Sequence, residues 1–251
     1  MQRLYPPPAA PLAPEAVYAD LVWPSPPPER PFVALNLIVS ADGRAAVDGR
    51  TDPLASRVDR ALMRALRAHA DAVLHGAGTL RAERFSPGVP AELAARRAAR
   101  GLAPQPLAIV VSASGEVPAS ERYFGAELPQ RLIVTGAAGA TRLPAAVRAR
   151  AELLVTGEEA VDLPAALRAL RVERGVRWLL CEGGPRLAHA LLASDAIDEL
   201  FLTLAPRLVA GDGPALLVGP PLRPPRPLAL LTVHERAGEL FLRYRVGGGS
   251  G

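Results

Sequence analysis

Apolar residues along this chain fall into short blocks whose spacing switches between two periods. Phe32-Val33-Ala34-Leu35-Asn36-Leu37-Ile38-Val39-Ser40 is nearly continuous, the pattern of a strand covered on both faces. The next block has helical spacing. Val58, Leu62, Ala65, Leu66 and His69 share one face, Ser56 stands at the N-cap, and Asp59 three residues on predicts a capping box. The alternation then repeats, with strands predicted over 71–76, 107–111, 131–135, 152–155 and 176–181 and helices over 91–100, 144–150, 164–174 and 185–193. Such alternation predicts βαβ units, and therefore an α/β domain with a mainly parallel sheet and helices on both faces. Segments 199–205, 228–234 and 239–245 follow as strands with no helices between them. Antiparallel C-terminal strands are expected there, with Glu235-Arg236-Ala237-Gly238 as a hairpin turn.

Proline punctuates the start. Pro6-Pro7-Pro8, Pro11, Pro14, Pro24 and Pro26-Pro27-Pro28 predict an extended arm over 1–30, with at most a short helix around 15–20. One domain without internal repeats is expected over 31–246, followed by a flexible Gly/Ser tail over 247–251.

Composition narrows the chemistry. The 251 residues are 49% hydrophobic, enough to bury a full core, yet no apolar run approaches the roughly 20 residues that span a bilayer. The first residues lack the apolar stretch of a signal peptide, which makes the cytoplasm the default. The single cysteine, Cys181, excludes an internal disulfide and a multi-cysteine zinc cluster, and its apolar context suits an inert buried thiol. The four histidines show no HxH or HExxH spacing, so no protein-bound metal is expected. The net charge of +4 comes from arginines scattered among alanines and glutamates, and aromatics are only 4% of the chain, which argues against nucleic acid. An anionic small molecule is the better partner.

In open α/β sheets ligands bind beyond the carboxyl ends of the strands. Three segments sit there: Ser40-Ala41-Asp42-Gly43, Gly76-Ala77-Gly78-Thr79-Leu80-Arg81, and Glu182-Gly183-Gly184 with Pro185 opening a helix. The glycine pair lets backbone N–H groups approach a phosphate at the positive end of that helix, although a tight strand-to-helix turn needs the same glycines. Neither glycine segment completes GxGxxG, and GxxxxGK[ST] and GxSxG are absent, which disfavours a Rossmann dehydrogenase, a P-loop NTPase and an α/β-hydrolase.

Taken in order, Arg30-Pro31-Phe32-Val33, Ser40-Ala41-Asp42-Gly43-Arg44, Leu66-Arg67-Ala68, Asp71-Ala72-Val73, the segment from Gly76 to Arg81 and Glu182-Gly183-Gly184-Pro185 resemble the reductase domain of bacterial riboflavin biosynthesis. This pyrimidine reductase family is related in fold to dihydrofolate reductase, and the likeness covers about residues 30–245. It implies a homodimeric three-layer α/β/α domain that uses NADPH to reduce the ribose of 5-amino-6-(5-phosphoribosylamino)uracil to a ribityl chain. The choice of NADPH over NADH is implied by the resemblance alone.

The resemblance also implies roles. Gly183, Gly184, Pro185, Arg186 and Leu187 would hold the cofactor pyrophosphate, Thr79 would meet the nicotinamide side, and Ser112 or Ser114 the adenosine half. Ser40, Gly78, Arg81 and Glu83 are further cofactor-side candidates. Glu182 would hydrogen-bond the substrate's sugar or base, Thr51 would supply a hydroxyl, and Arg67 would grip the 5-phosphate with its planar fork. Asp42 would orient water or supply a proton, or would close its own turn.

The chain departs from the family in two places. An Asp-Asp-Pro segment and a phosphate-binding arginine are expected after Arg81, but Ala82-Glu83-Arg84-Phe85-Ser86-Pro87 stands there, leaving Arg84, Arg96 or Arg97 as replacement cations. HxE with PCxxC is also absent, so the chain reads as a stand-alone reductase without a deaminase. Two other readings stay open: a paralogue that reduces a pterin such as dihydrofolate, and a non-catalytic nucleotide-binding dimer.

Overall fold

The apolar run 32–40 forms the spine of the structure, a computed structural model that describes residues 1–6, 10–83, 85–119, 121–125 and 130–247. In chain order the elements are β1 (Gln2–Tyr5), β2 (Phe32–Ser40), α1 (Arg57–Arg67), β3 (Ala72–Gly76), α2 (Ala77–Ala82), α3 (Ala91–Ala99), β4 (Leu107–Val111), α4 (Glu121–Phe124) and β5 (Arg131–Thr135). Then come α5 (Ala137–Arg142), α6 (Ala145–Arg148), β6 (Glu152–Val155), α7 (Leu163–Val172), β7 (Trp178–Cys181), α8 (Pro185–Ala193), β8 (Glu199–Ala205), β9 (Leu228–Arg236) and β10 (Glu239–Val246).

All the strands join one ten-stranded sheet in the order β1-β9-β10-β8-β2-β7-β3-β4-β5-β6. From β8 across to β6 every neighbouring pair is parallel, while β10, β9 and β1 add on antiparallel. The expected mixed sheet is therefore present. Alternation along each strand separates the layers. Val33 and Leu35 of β2, Leu179 of β7 and Ile109 of β4 face α7 and α8, whose Leu167, Leu170, Leu187 and Leu191 complete that core. Phe32, Ala34 and Leu180 point the other way, onto Leu62 and Leu66 of α1, and Ala108, Val110 and Ile133 onto Leu80 and Val147.

The proline-rich arm contributes more than an extended wrapper. Gln2 and Arg3 pair with Glu235 and His234 on β9, so β1 extends the sheet edge, and Pro14–Ala16 is a single 3-10 turn. Met1, Tyr18 and Trp23 are buried, Tyr18 stacks edge-on against Phe201 at 5.4 Å, and Trp23 Nε1 donates to the His69 carbonyl at 3.1 Å. These aromatic contacts extend the core that α1 forms on this face of the sheet.

Helix α1 starts as its sequence predicts, with Ser56 Oγ accepting the Asp59 N–H at 3.0 Å. The other half of the capping box does not form. The Ser56 hydroxyl donates to Glu239 Oε2 at 2.6 Å, and among the described residues the Ser56 N–H makes no return bond to the Asp59 carboxyl.

Candidate active site

Strands β3 and β7 lie side by side, so the two glycine-bearing turns meet. Gly76 N–H donates to the Gly183 carbonyl at 2.9 Å, Glu182 N–H to the Leu74 carbonyl at 3.0 Å, and Gly184 N–H to Thr79 Oγ1 at 3.1 Å. Gly183 and Gly184 have φ of +91° and +27°, a region that L side chains avoid, and a Cβ on Gly184 would stand 3.0 Å from Thr79 Oγ1. The chain then enters α8 at Pro185, which suits a first turn whose N–H groups have no helical partner.

A cavity of about 1410 Å³ opens over these turns at the carboxyl ends of β2, β3, β4 and β7. It is lined by Gly183, Gly184, Pro185, Arg186 and Leu187 on one side, and by Gly78, Thr79, Arg81 and Glu83 on another. Ser112, Ser114, Thr51, Arg67 and Glu182 line it as well. Thr51 and Glu83 meet directly, the Thr51 N–H donating to Glu83 Oε1 at 2.8 Å. Ser112 is buried and its Oγ has no partner among the described residues, whereas Ser114 Oγ accepts the Glu116 N–H at 3.2 Å. Arg81 lies along the wall with Nη1 donating to the Glu116 carbonyl.

Several expected roles do not match the geometry. Ser40 and Asp42 are not among the residues lining the cavity. Asp42 accepts from Ser40 Oγ at 2.6 Å, from Val209 N–H at 3.1 Å and from Ala210 N–H at 2.7 Å. These bonds, Ser40 foremost, hold its carboxyl down at about 2, so Asp42 anchors a turn and carries no proton at neutral pH. Arg97 is buried and donates to the carbonyls of Arg67, Ala70 and Ala103, Arg96 pairs with exposed Glu92, and Arg84 lies outside the described residues.

The cavity floor carries a buried charge pair. Arg67 Nε and Nη2 reach Glu182 Oε1 and Oε2 at 2.7 and 2.6 Å, while Nη1 donates to the carbonyls of Ser86 and Gly88 at 2.9 and 3.2 Å. The guanidinium expected to grip a phosphate is instead spent on Glu182 and the 86–88 turn. Burial alone would raise the Glu182 pKa, but Arg67 outweighs it and holds the carboxyl at about 2.

His75 approaches Glu182 Oε2 with Nε2 at 3.0 Å, and Tyr123 Oη lies 3.5 Å from its Nδ1 while donating to the Ile109 carbonyl at 3.0 Å. Burial lowers the His75 pKa, so the ring is neutral and Nε2 carries the hydrogen bonded to the carboxylate. Phe85 packs on the imidazole at 4.6 Å between centroids.

Three of these neighbours were absent from the sequence-based site: His75, Arg64 and Asp59, all on the cavity lining. His75 sits at a strand end, where the rule that found Gly76 applies equally. Arg60, Arg64 and Arg67 recur at four and three residues on α1, a helical stripe that faces the cavity. The Arg64 and Arg186 guanidinium groups have no side-chain partner among the described residues, which leaves two cations open toward an anion.

A mainly parallel sheet whose strand-end turns wall one large cleft, with a carboxylate fixed on its floor, defines an α/β protein that holds a ligand beyond its strand ends. The RibD C-terminal domain family matches residues 31–238. The chain is 33% identical over 193 residues to the 2,5-diamino-6-ribosylamino-4(3H)-pyrimidinone 5′-phosphate reductase of Archaeoglobus fulgidus, covering 76% of this chain and 87% of that one. The reductase of the same name from Methanothermobacter thermautotrophicus is 29% identical over 75% of this chain and 84% of its own. Among solved structures, a pyrimidine reductase-like protein from Corynebacterium diphtheriae superposes with a TM-score of 0.79 at 24% identity, covering 94% of this chain and 99% of that one. The chain belongs to the RibD C-terminal domain family.

Proposed function

We propose that the protein uses a reduced nicotinamide dinucleotide, NADPH, to reduce the ribose of a phosphoribosylamino-pyrimidine to its ribityl form. The observation that carries this reading is the cleft itself, large enough for a dinucleotide beside a second ligand and walled by the Gly183-Gly184 turn opposite the Arg67–Glu182 pair. The stand-alone relatives carry the name of the 2,5-diamino-pyrimidinone phosphate, which makes that compound the first substrate to test, with the aminouracil second.

The residues present fit a dinucleotide. The N–H groups at the start of α8 and the open Arg186 guanidinium suit its pyrophosphate, and the unpartnered Ser112 Oγ, buried on the far wall, suits a polar group of its adenosine half. Thr79, fixed by the Gly184 N–H, shapes the nicotinamide end. The cofactor supplies hydride, and the protein orients the partners and excludes water. Glu182, held ionised and immobile, accepts hydrogen bonds from the substrate's hydroxyl or amino groups. With Arg67 committed to Glu182, the 5-phosphate falls to Arg64 one turn earlier on α1.

NADPH oxidation followed at the nicotinamide absorbance with each pyrimidine tests the reading. Turnover of either supports it. Tight NADPH binding with turnover of dihydrofolate alone, or of neither pyrimidine, refutes it.

A further inference from the structure

We propose that Asp59, in the first turn of α1, is the acid that protonates the substrate in this cleft, a role that rests on the reduction proposed above. Local structure does not account for this carboxyl. An aspartate three residues after an N-cap serine normally folds back on the cap N–H, but here that bond is not made and Glu239 takes the Ser56 hydroxyl instead.

Asp59 lines the cleft with Asn36 and Met63, and it also borders a small hollow that it shares with Thr203 of β8. Asp59 thus stands half-buried between that hollow and the cleft. The charged and titratable groups around it come from every neighbouring element: Arg60 on its own helix, Glu182 after β7, Glu239 on β10 and Tyr18 in the arm. Burial raises the Asp59 carboxyl most, the Glu182 carboxylate adds to it and Arg60 opposes it, which leaves Asp59 at about 6.

The other candidates are engaged elsewhere. Glu182 is locked to Arg67, Asp42 is locked to a turn off the cleft, and the single ring hydrogen of His75 is committed to Glu182 with its Nδ1 face buried against Tyr123. Two carboxyls in one site with their pKa values pushed apart give a division of labour, one a fixed anion and one a proton carrier.

The step balances as follows. The Asp59 proton passes to the ribose ring oxygen, the bond from that oxygen to C1 breaks with its electron pair going to oxygen, and the exocyclic nitrogen lone pair forms the C=N bond of an iminium. Hydride from the reduced nicotinamide adds to C1, the nitrogen recovers its lone pair as a secondary amine, and the Asp59 carboxylate regains a proton from water.

The test compares wild type, Asp59→Asn and Asp59→Glu, each as the full chain, in NADPH oxidation over a pH series, with dinucleotide binding and the unfolding midpoint measured alongside. Wild-type kcat/KM is expected to fall with rising pH above about 6, as a required acid demands. Asp59→Asn is expected to lose about 10²- to 10⁴-fold and to lack that limb, while binding the dinucleotide normally, and Asp59→Glu is expected to recover part of the rate. An Asp59→Asn enzyme within about threefold of wild type, with the same pH limb, overturns the proposal.

Carbon-13 titration of the aspartate carboxyls, with the Asp59 signal assigned by its loss in Asp59→Asn or Asp59→Glu, decides independently of turnover. A value near 6 supports the proposal, and one in the ordinary range near 3.9 overturns it. Absence of turnover in the wild type counts against the proposed reduction, and the titration then judges Asp59 alone.

Discussion

Arg67 and Glu182 are 115 residues apart in sequence, yet they form a two-pronged ion pair at 2.7 and 2.6 Å with 5% and 6% of their side chains exposed. The pair ties α1 to the end of β7, and through the Ser86 and Gly88 carbonyls it also ties down the segment after α2. Arg67→Ala leaves a buried carboxylate with His75 as its remaining side-chain partner, and removing one partner of a buried pair costs about 3–5 kcal/mol. Urea unfolding should show a loss of that size, and an Arg67→Met/Glu182→Leu double variant should lose less than Arg67→Ala alone. A single-variant loss under about 1 kcal/mol would contradict the pair's structural role.

The same pair gives stability a pH signature. Glu182 has its folded pKa lowered from 4.5 to about 2, so its contribution is fully present above 4.5 and is lost as pH falls through 2. Denaturant unfolding at a series of acid pH values should therefore show a shallower decline for Glu182→Gln than for wild type, from a lower starting stability. Parallel declines would rule out the linkage.

Asp59 has the opposite sign. Its folded pKa is raised from 3.8 to about 6, so folding is favoured by its proton below 3.8, and that advantage disappears as pH rises through 6. Asp59→Asn removes an acid that is ionised against its environment at neutral pH, and should unfold at higher denaturant than wild type at pH 7, by roughly 1–3 kcal/mol. The difference should vanish near pH 4.

Gly184 is held at φ +27°, with its missing Cβ facing Thr79 Oγ1 at 3.0 Å. Gly184→Ala should distort the bond from its N–H to Thr79 and the start of α8, weakening NADPH binding by about tenfold or more while costing only on the order of 1 kcal/mol of stability. Fluorescence titration with NADPH checks it, and unchanged affinity would move the pyrophosphate elsewhere.

Arg64 and Asp42 make a contrasting pair for kinetics. Arg64→Ala should raise KM for the phosphorylated pyrimidine by about 10- to 100-fold and leave the dephosphorylated compound unaffected, because it removes a contact made equally in ground and transition states. Asp42→Ala, off the cleft, should leave kcat/KM within about threefold. Equal KM effects on both compounds for Arg64→Ala would reassign the phosphate.

The layers were legible along the chain because burial on a twofold or 3.6-fold period leaves its mark in local residue order. Strands 107–111, 131–135, 152–155 and 199–205 and helix 185–193 coincide with β4, β5, β6, β8 and α8. The short strand at Gln2–Tyr5 was not legible, since a proline-rich segment becomes a strand only when the β9 edge offers it hydrogen bonds.

At the cleft, strand-end position marked Glu182, Gly183, Gly184 and Thr79, because backbone geometry at a βα turn selects residue types by itself. Which group each charge would meet was not written there. Arg67 was read as a phosphate clamp, Asp42 as a possible acid and Asp59 as a helix cap, and the contacts of all three depend on segments distant in sequence. Sequence alone thus determined the order of the layers and the place of the glycine turns, which follow from steric and hydrophobic preferences between near neighbours. Tertiary structure alone decided which arginine remains free, which carboxylate is fixed as an anion and which has its pKa raised toward neutrality, because desolvation and charge pairing are set by whatever the fold brings within a few ångströms.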